Sequence, residues 1–189
     1  MATTRTRSGS SRSKRPPYTP PDPSKRWRPK SRAGGVCGYV LDSKVCTKRG
    51  AHYCEPRADR VVAFCAELLV HTTGPYARKA FVLEPWQEFE IIRPLFGEVV
   101  WSSEWNRYVR RYRIAYIVMA RKNGKSALVA ALVLYLLVGD DEEGAEVYGA
   151  AKTTRQAGKV FKPVRRMMQL SPVLSKRLGE NKAARRIYD

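Results

Sequence analysis

The chain has 189 residues, with 36 Lys and Arg against 17 Asp and Glu, a formal net charge of +19. Such an excess excludes most acidic or neutral housekeeping folds and points to a polyanionic partner: nucleic acid, nucleotide or an anionic membrane surface. The longest apolar run, residues 127–138, falls short of the roughly 20 residues that cross a bilayer. The basic N-terminus has no apolar core of a signal peptide. A soluble chain with no membrane role is expected.

Residues 1–35 hold ten Lys and Arg and one acid among Ser, Pro and almost no aliphatic side chains. A segment of that composition cannot bury enough surface to offset its ordering entropy, so a disordered basic arm is expected. Residues 36–56 form a Cys- and Gly-containing transition segment. Cys37, Cys46, His52 and Cys54 include three thiols and an imidazole, but lack the short C-x2-C knuckle of many structural zinc sites. Zinc binding is therefore left open at this point. Cys65 belongs to an apolar helical face and reads as core.

Residues 57–189 hold the foldable part. From Asp59, apolar residues at Val61, Phe64, Cys65, Leu68 and Leu69 predict a helix, with Gly74-Pro75 as its stop. A second helix is predicted to open at Pro85 and carry Trp86, Phe89, Ile92 and Phe96, bent or ended by Pro94 before Gly97. Val99 to Trp101 read as a strand, with a turn over Ser102–Asn106. The segment Ile114–Met119 is apolar at every position, the pattern of a strand covered on both faces. Gly124 to Val138 predicts an apolar helix, and Glu146–Ala151 a strand. Thr153 and Gln156 read as a capping box opening a helix that contains Pro163. A short helix after Ser171-Pro172 is predicted to end at Gly179, and the chain's last residues look like the approach to another strand. The alternation of strand and helix predicts an α/β fold with a parallel sheet flanked by helices.

The most informative residues are Arg121-Lys122-Asn123-Gly124-Lys125-Ser126. Gly-Lys-Ser ends a P-loop, in which Gly lets backbone N–H groups approach phosphate oxygens and Lys neutralises the β- and γ-phosphates. Ser126 is placed to offer its hydroxyl to a nucleotide-bound Mg²⁺. Met119 stands where the first glycine of the usual pattern would be. A doubly apolar segment before the loop and an apolar helix after it supply the P-loop context. Cations in a first helical turn oppose the helix dipole, and an anion there would justify them. Arg121 and Lys122 are further candidates to reach the γ-phosphate and stabilise charge in phosphoryl transfer. The acidic run Asp140-Asp141-Glu142-Glu143 is no candidate for the Mg²⁺ carboxylate. A helix from Lys125 to Val138 carries it ~20 Å from the loop, and it reads as a solvated connection.

Three segments resemble the large terminase subunit of tailed bacteriophages, in the N-terminal part of its ATPase domain. They are Phe81-Val82-Leu83-Glu84-Pro85-Trp86-Gln87, the loop 120–126, and Val147-Tyr148-Gly149-Ala150-Ala151 with Gln156-Ala157. The resemblance runs from about Phe64 to Asp189. It implies a P-loop NTPase using ATP and Mg²⁺, with Gln87 reading adenine, Arg121 and Lys125 acting in catalysis, and residues 148–152 beside the loop. It also implies double-stranded DNA, a terminase small subunit and a portal as partners, a homo-oligomeric motor, and work in the host cytoplasm. A complete large terminase continues into a Walker B Asp-Glu pair, a coupling motif and a ribonuclease H-like nuclease. None is found in this sequence, so independent hydrolysis and DNA cleavage are not expected of it. Two alternatives from the residues alone are another P-loop ATPase, such as a helicase or nucleotide kinase, and a non-enzymatic basic nucleic-acid-binding protein.

Overall fold

A computed structural model describes residues 46, 50–140, 142, 144–181 and 186–188. The basic arm and Cys37 lie outside the described residues.

The order of elements is β1 (His52–Tyr53), α1 (Glu55–Leu68), α2 (Pro85–Gln87), a π-helical turn (Glu88–Ile92), α3 (Arg93–Gly97), β2 (Glu98–Ser102), β3 (Arg107–Arg110), α4 (Lys125–Val138), α5 (Thr154–Leu170), α6 (Leu174–Arg177), β4 (Gly179–Asn181) and β5 (Arg186–Tyr188). The main core is helical. It joins Val61, Phe64 and Cys65 of α1, Ile92 and Phe96, the α4 residues Leu128, Leu134 and Tyr135, and Val164, Met167 and Met168 of α5. Tyr135 meets both Phe64 and Phe96 edge-on, with ring centroids 5.3 and 5.2 Å away, a geometry that the aromatic quadrupole favours.

α1 starts earlier than the apolar periodicity suggests, because Pro56 suits a first turn and Cys54 occupies the N-cap. It also ends earlier. Leu69 is already extended, and its buried side chain joins the core while its carbonyl accepts from the Phe81 N–H at 2.9 Å. Gly74-Pro75 therefore does not stop the helix. It lies in the turn of a hairpin-like loop closed by the Val70–Ala80 bridge, with Gly74 at φ +78°.

The second predicted helix is present from Pro85 to Gly97, but its middle is π-helical. Pro94 has no N–H to bond back to Glu90, and a wider turn accommodates that loss. Gly97 follows because the Tyr53 ring lies against it. A Cβ there would come within 2.3 Å of the ring. The same close approach lets the Cys54 N–H reach the Gly97 carbonyl, fixing β1 beside β2.

All paired strands among the described residues are antiparallel. One sheet has the order β1-β2-β3, and β4 pairs with β5. The predicted strand Glu98–Ser102 and its turn form the β2–β3 hairpin. Residues 114–119 and 146–151 differ from expectation, because neither stretch pairs with a described strand. Ile117 and Met119 are half-buried, while Ile114, Tyr116 and Val118 are 88%, 92% and 76% exposed. Tyr148 in the second is 82% exposed. A strand needs ladder partners for its N–H and C=O groups, and no described segment offers them here. The architecture is mixed helix and strand, and among the described residues no strands pair in parallel.

Thr153 does cap α5, its hydroxyl accepting from the Gln156 N–H at 3.3 Å. Pro163 sits inside α5 without ending it. Burial of Val164, Met167 and Met168 against α4 offsets a cost of ~3 kcal/mol. Ser171 accepts from the Leu174 N–H ahead of α6, and the expected final strand is β5.

Burial pushes the Cys65 thiol up to about 12, from an ordinary 9.0. The folded state therefore favours the neutral thiol. That contribution is fully present below about pH 9 and is lost as pH rises toward 12, at up to about 1.4 kcal/mol per pH unit. Urea midpoints taken between about pH 9 and about pH 11 are expected to fall less steeply for Cys65→Ala than for the parent chain. Equal slopes would contradict this account of Cys65.

Candidate nucleotide site

The site is built where α4 begins. Gly124 is its N-cap at φ +75°, a left-handed conformation that costs an L-residue about 1–2 kcal/mol. Lys122 is also left-handed, at φ +69°. These two reversals let residues 121–124 fold tightly before the helix starts at Lys125. No side chain caps α4, and its first turn contains no acid. Its leading N–H groups therefore carry the positive end of the helix dipole with no side-chain acceptor. Arg121, Lys122, Asn123, Lys125 and Ser126 are all exposed around that end. Chemically, this is a cationic, donor-rich cradle suited to an oxyanion.

Gln87 stands behind the loop and is 4% exposed. Its Oε1 accepts from the Glu84 N–H at 3.1 Å, and its Nε2 donates to the Asn123 carbonyl at 3.5 Å. The first bond belongs to a reciprocal capping box with Glu84. The Nε2 also lies 3.3 Å from where a Gly124 Cβ would stand. The structure thus brings Gln87 together with the loop, 36 positions later in sequence. Sequence reading missed the Glu84–Gln87 box, although the E-x-x-Q spacing before an apolar run was its visible signal.

α4 runs the full length from Lys125 to Val138 and carries the acidic run to its far end. That run is more than a solvated connection. Asp140 pairs with Arg110, and Glu142 accepts two bonds from Arg107 at 2.8 and 3.0 Å. Both arginines belong to β3, so the acids dock the hairpin on the C-terminal end of α4. Asp141 and Glu143 lie outside the described residues. Residues 148–152 are exposed and irregular, and Tyr148 donates to Glu146.

The family model described as the terminase large subunit, ATPase domain, matches residues 85–186. That span covers the Gln87 helix, the loop, α4 and α5. The chain belongs to this family. Its terminase relatives include the large subunit of Enterobacteria phage HK97, 27% identical over 119 residues, which are 62% of this chain and 21% of that protein. The crystal structure of the HK97 bacteriophage large terminase matches with a TM-score of 0.51 and 24% identity, over 70% of this chain and 25% of that one. At that identity the likeness speaks for fold. This terminase chain spans about a fifth of the length of its HK97 relative. Membership of an ATPase-domain family implies nucleotide use. Among the described residues, no helix is long and apolar enough to cross a membrane.

Proposed function

We propose that the loop 120–126 binds ATP with Mg²⁺ as part of a motor that moves double-stranded DNA into a procapsid. The uncapped, cation-ringed start of α4 is the observation that carries the reading. Lys125 neutralises the β- and γ-phosphates, Ser126 holds Mg²⁺ through the nucleotide, and the backbone of Asn123 and Gly124 approaches the phosphates. Arg121 stabilises charge that develops on the γ-phosphate, and Lys122 adds to the local field. Gln87 sits on the adenine side. Its 3.5 Å hydrogen bond to Asn123 is weak enough to be exchanged for a base edge, which needs one donor and one acceptor.

The exposed apolar residues Ile114, Tyr116, Val118 and Tyr148 suit a parallel sheet completed by further strands of a longer polypeptide. The same longer assembly would hold the Mg²⁺ carboxylate, form a homo-oligomer, and engage a small terminase subunit and a portal in the host cytoplasm. Calorimetric titration of the chain with ATP tests the first step. Saturable binding that Mg²⁺ tightens is expected. Binding of inorganic phosphate and ATP with equal affinity would reduce the site to an anion cradle.

α5 supports the DNA part of the proposal. Arg155, Lys159, Lys162 and Arg166 recur at helical spacing, and all four are exposed. Such a row can track phosphates on one strand. Replacing Lys159, Lys162 and Arg166 by Gln is expected to reduce the log–log salt slope of duplex binding by roughly 0.9 for every phosphate that the variant no longer neutralises. Fluorescence anisotropy across a salt series would measure it. A slope unchanged in the triple variant would remove α5 from the DNA surface.

A further inference from the structure

We infer that Cys46, His52 and Cys54 form a zinc site within the segment before α1, where that segment packs on the β2–β3 hairpin. The ligand atoms of the three residues all lie within 4.8 Å of one another. The two sulfurs are 3.8 Å apart, which is the separation set by two Zn–S bonds of about 2.3 Å in a tetrahedron. A disulfide would require about 2.05 Å and would make no use of the histidine.

The histidine provides the second, independent observation. His52 Nδ1 lies 2.8 Å from the Gly50 carbonyl, so this nitrogen carries the proton and donates it. That hydrogen bond leaves the lone pair on Nε2, as in many metal-binding histidines. Nε2 is buried and has no hydrogen-bond partner among the described residues. A buried acceptor left in that state is destabilising, and a metal ion removes the penalty.

The local sequence agrees. Cys54 occupies the N-cap of α1, yet its side chain makes no capping bond, and the usual N-cap residues are Ser, Thr, Asp and Asn. Ligation explains a cysteine there. Cys46 and Cys54 are buried with Val99 of β2 and Tyr108 of β3, and the His52 ring meets Tyr108 edge-on at 5.1 Å. Two thiolates neutralise the dication, which suits a site this enclosed. Zinc fits best among common metals, since thiolate and imidazole together select it over Mg²⁺ or Ca²⁺. Cys37 lies outside the described residues, and the inference rests on the three that are placed.

The test uses the full chain, purified under a phosphine reductant and reconstituted with zinc or cobalt. One metal per chain by mass spectrometry is expected, with thiolate-to-cobalt charge transfer and the intense visible bands of tetrahedral Co²⁺. Cys46→Ser, His52→Ala and Cys54→Ser should each lose stoichiometric binding, while Cys65→Ala, a buried thiol outside the cluster, retains it. Circular dichroism reports whether each variant is folded. If a variant unfolds, the cobalt spectrum of the parent chain decides. Failure of the parent to take up metal, a weak octahedral spectrum, or full binding in a folded His52→Ala or Cys54→Ser variant would overturn the assignment. The nucleotide reading is unaffected by either outcome, because ATP binding is measured separately.

Discussion

Lys125→Ala is expected to weaken ATP binding by roughly one to two orders of magnitude. The side chain is the first residue of α4, exposed at the helix end where no other side chain caps the N–H groups. A charge-assisted hydrogen bond to phosphate contributes about 1.5–3 kcal/mol, equivalent to a loss of roughly 10- to 150-fold in affinity. Removing Lys125 should leave the fold intact, since its side chain covers none of the core. Gly124→Ala is expected to weaken binding by a different route. It places a Cβ on a residue at φ +75°, a strained conformation, and 3.3 Å from the Gln87 amide, so the loop or the Gln87 side chain must give. Calorimetry on both variants, with thermal melts as a control, separates the effect of charge from that of loop shape. Unaltered ATP affinity in Lys125→Ala would remove the loop from the binding site.

Arg93→Met is expected to be the most destabilising single change, lowering stability by about 3–5 kcal/mol. Arg93 is buried, with its guanidinium 2.8 Å from both Asp59 and Glu88. Burial alone would lower its pKa, but hydrogen bonds with Tyr53, Glu88 and Asp59 outweigh it and raise the value above the ordinary range. The guanidinium also stacks on Phe89, 5.4 Å from the ring centroid. These interactions tie α1 to the π turn that leads back to Gln87. Replacing Arg93 leaves Glu88 without its cation in a mostly covered position. Urea unfolding measures the effect, and Glu88→Gln/Arg93→Met should recover part of it, because the stranded charge is then gone. A loss below about 1 kcal/mol would place Arg93 among surface pairs instead.

The helices of the site were legible because their signals are local. The loop 120–126, the apolar helix after it and the Thr153 cap each follow from neighbouring residues and their periodicity. The resemblance to terminases rested on the same short segments, and the family match covers most of them. Gly74-Pro75 misled for a related reason. It marks a turn wherever it stands, and only the burial of Leu69 against Phe81 and the helical core decides that the helix has already ended.

The charge that first marked this chain as a partner of polyanions was fixed by composition, and so was the cationic loop at the start of α4. Sequence also set the helix periods. Tertiary structure decided the pairings between distant positions. It set Gln87 against Asn123, Arg107 and Arg110 against the acids after α4, Arg93 between α1 and its own helix, and His52 beside two cysteines. Those pairings depend on packing that brings remote residues within a few ångströms, and no local pattern encodes that distance. The same reason explains the apolar segments 114–119 and 146–151. Their pattern specifies a buried strand, but a ladder forms only where a neighbouring strand is present to share its hydrogen bonds.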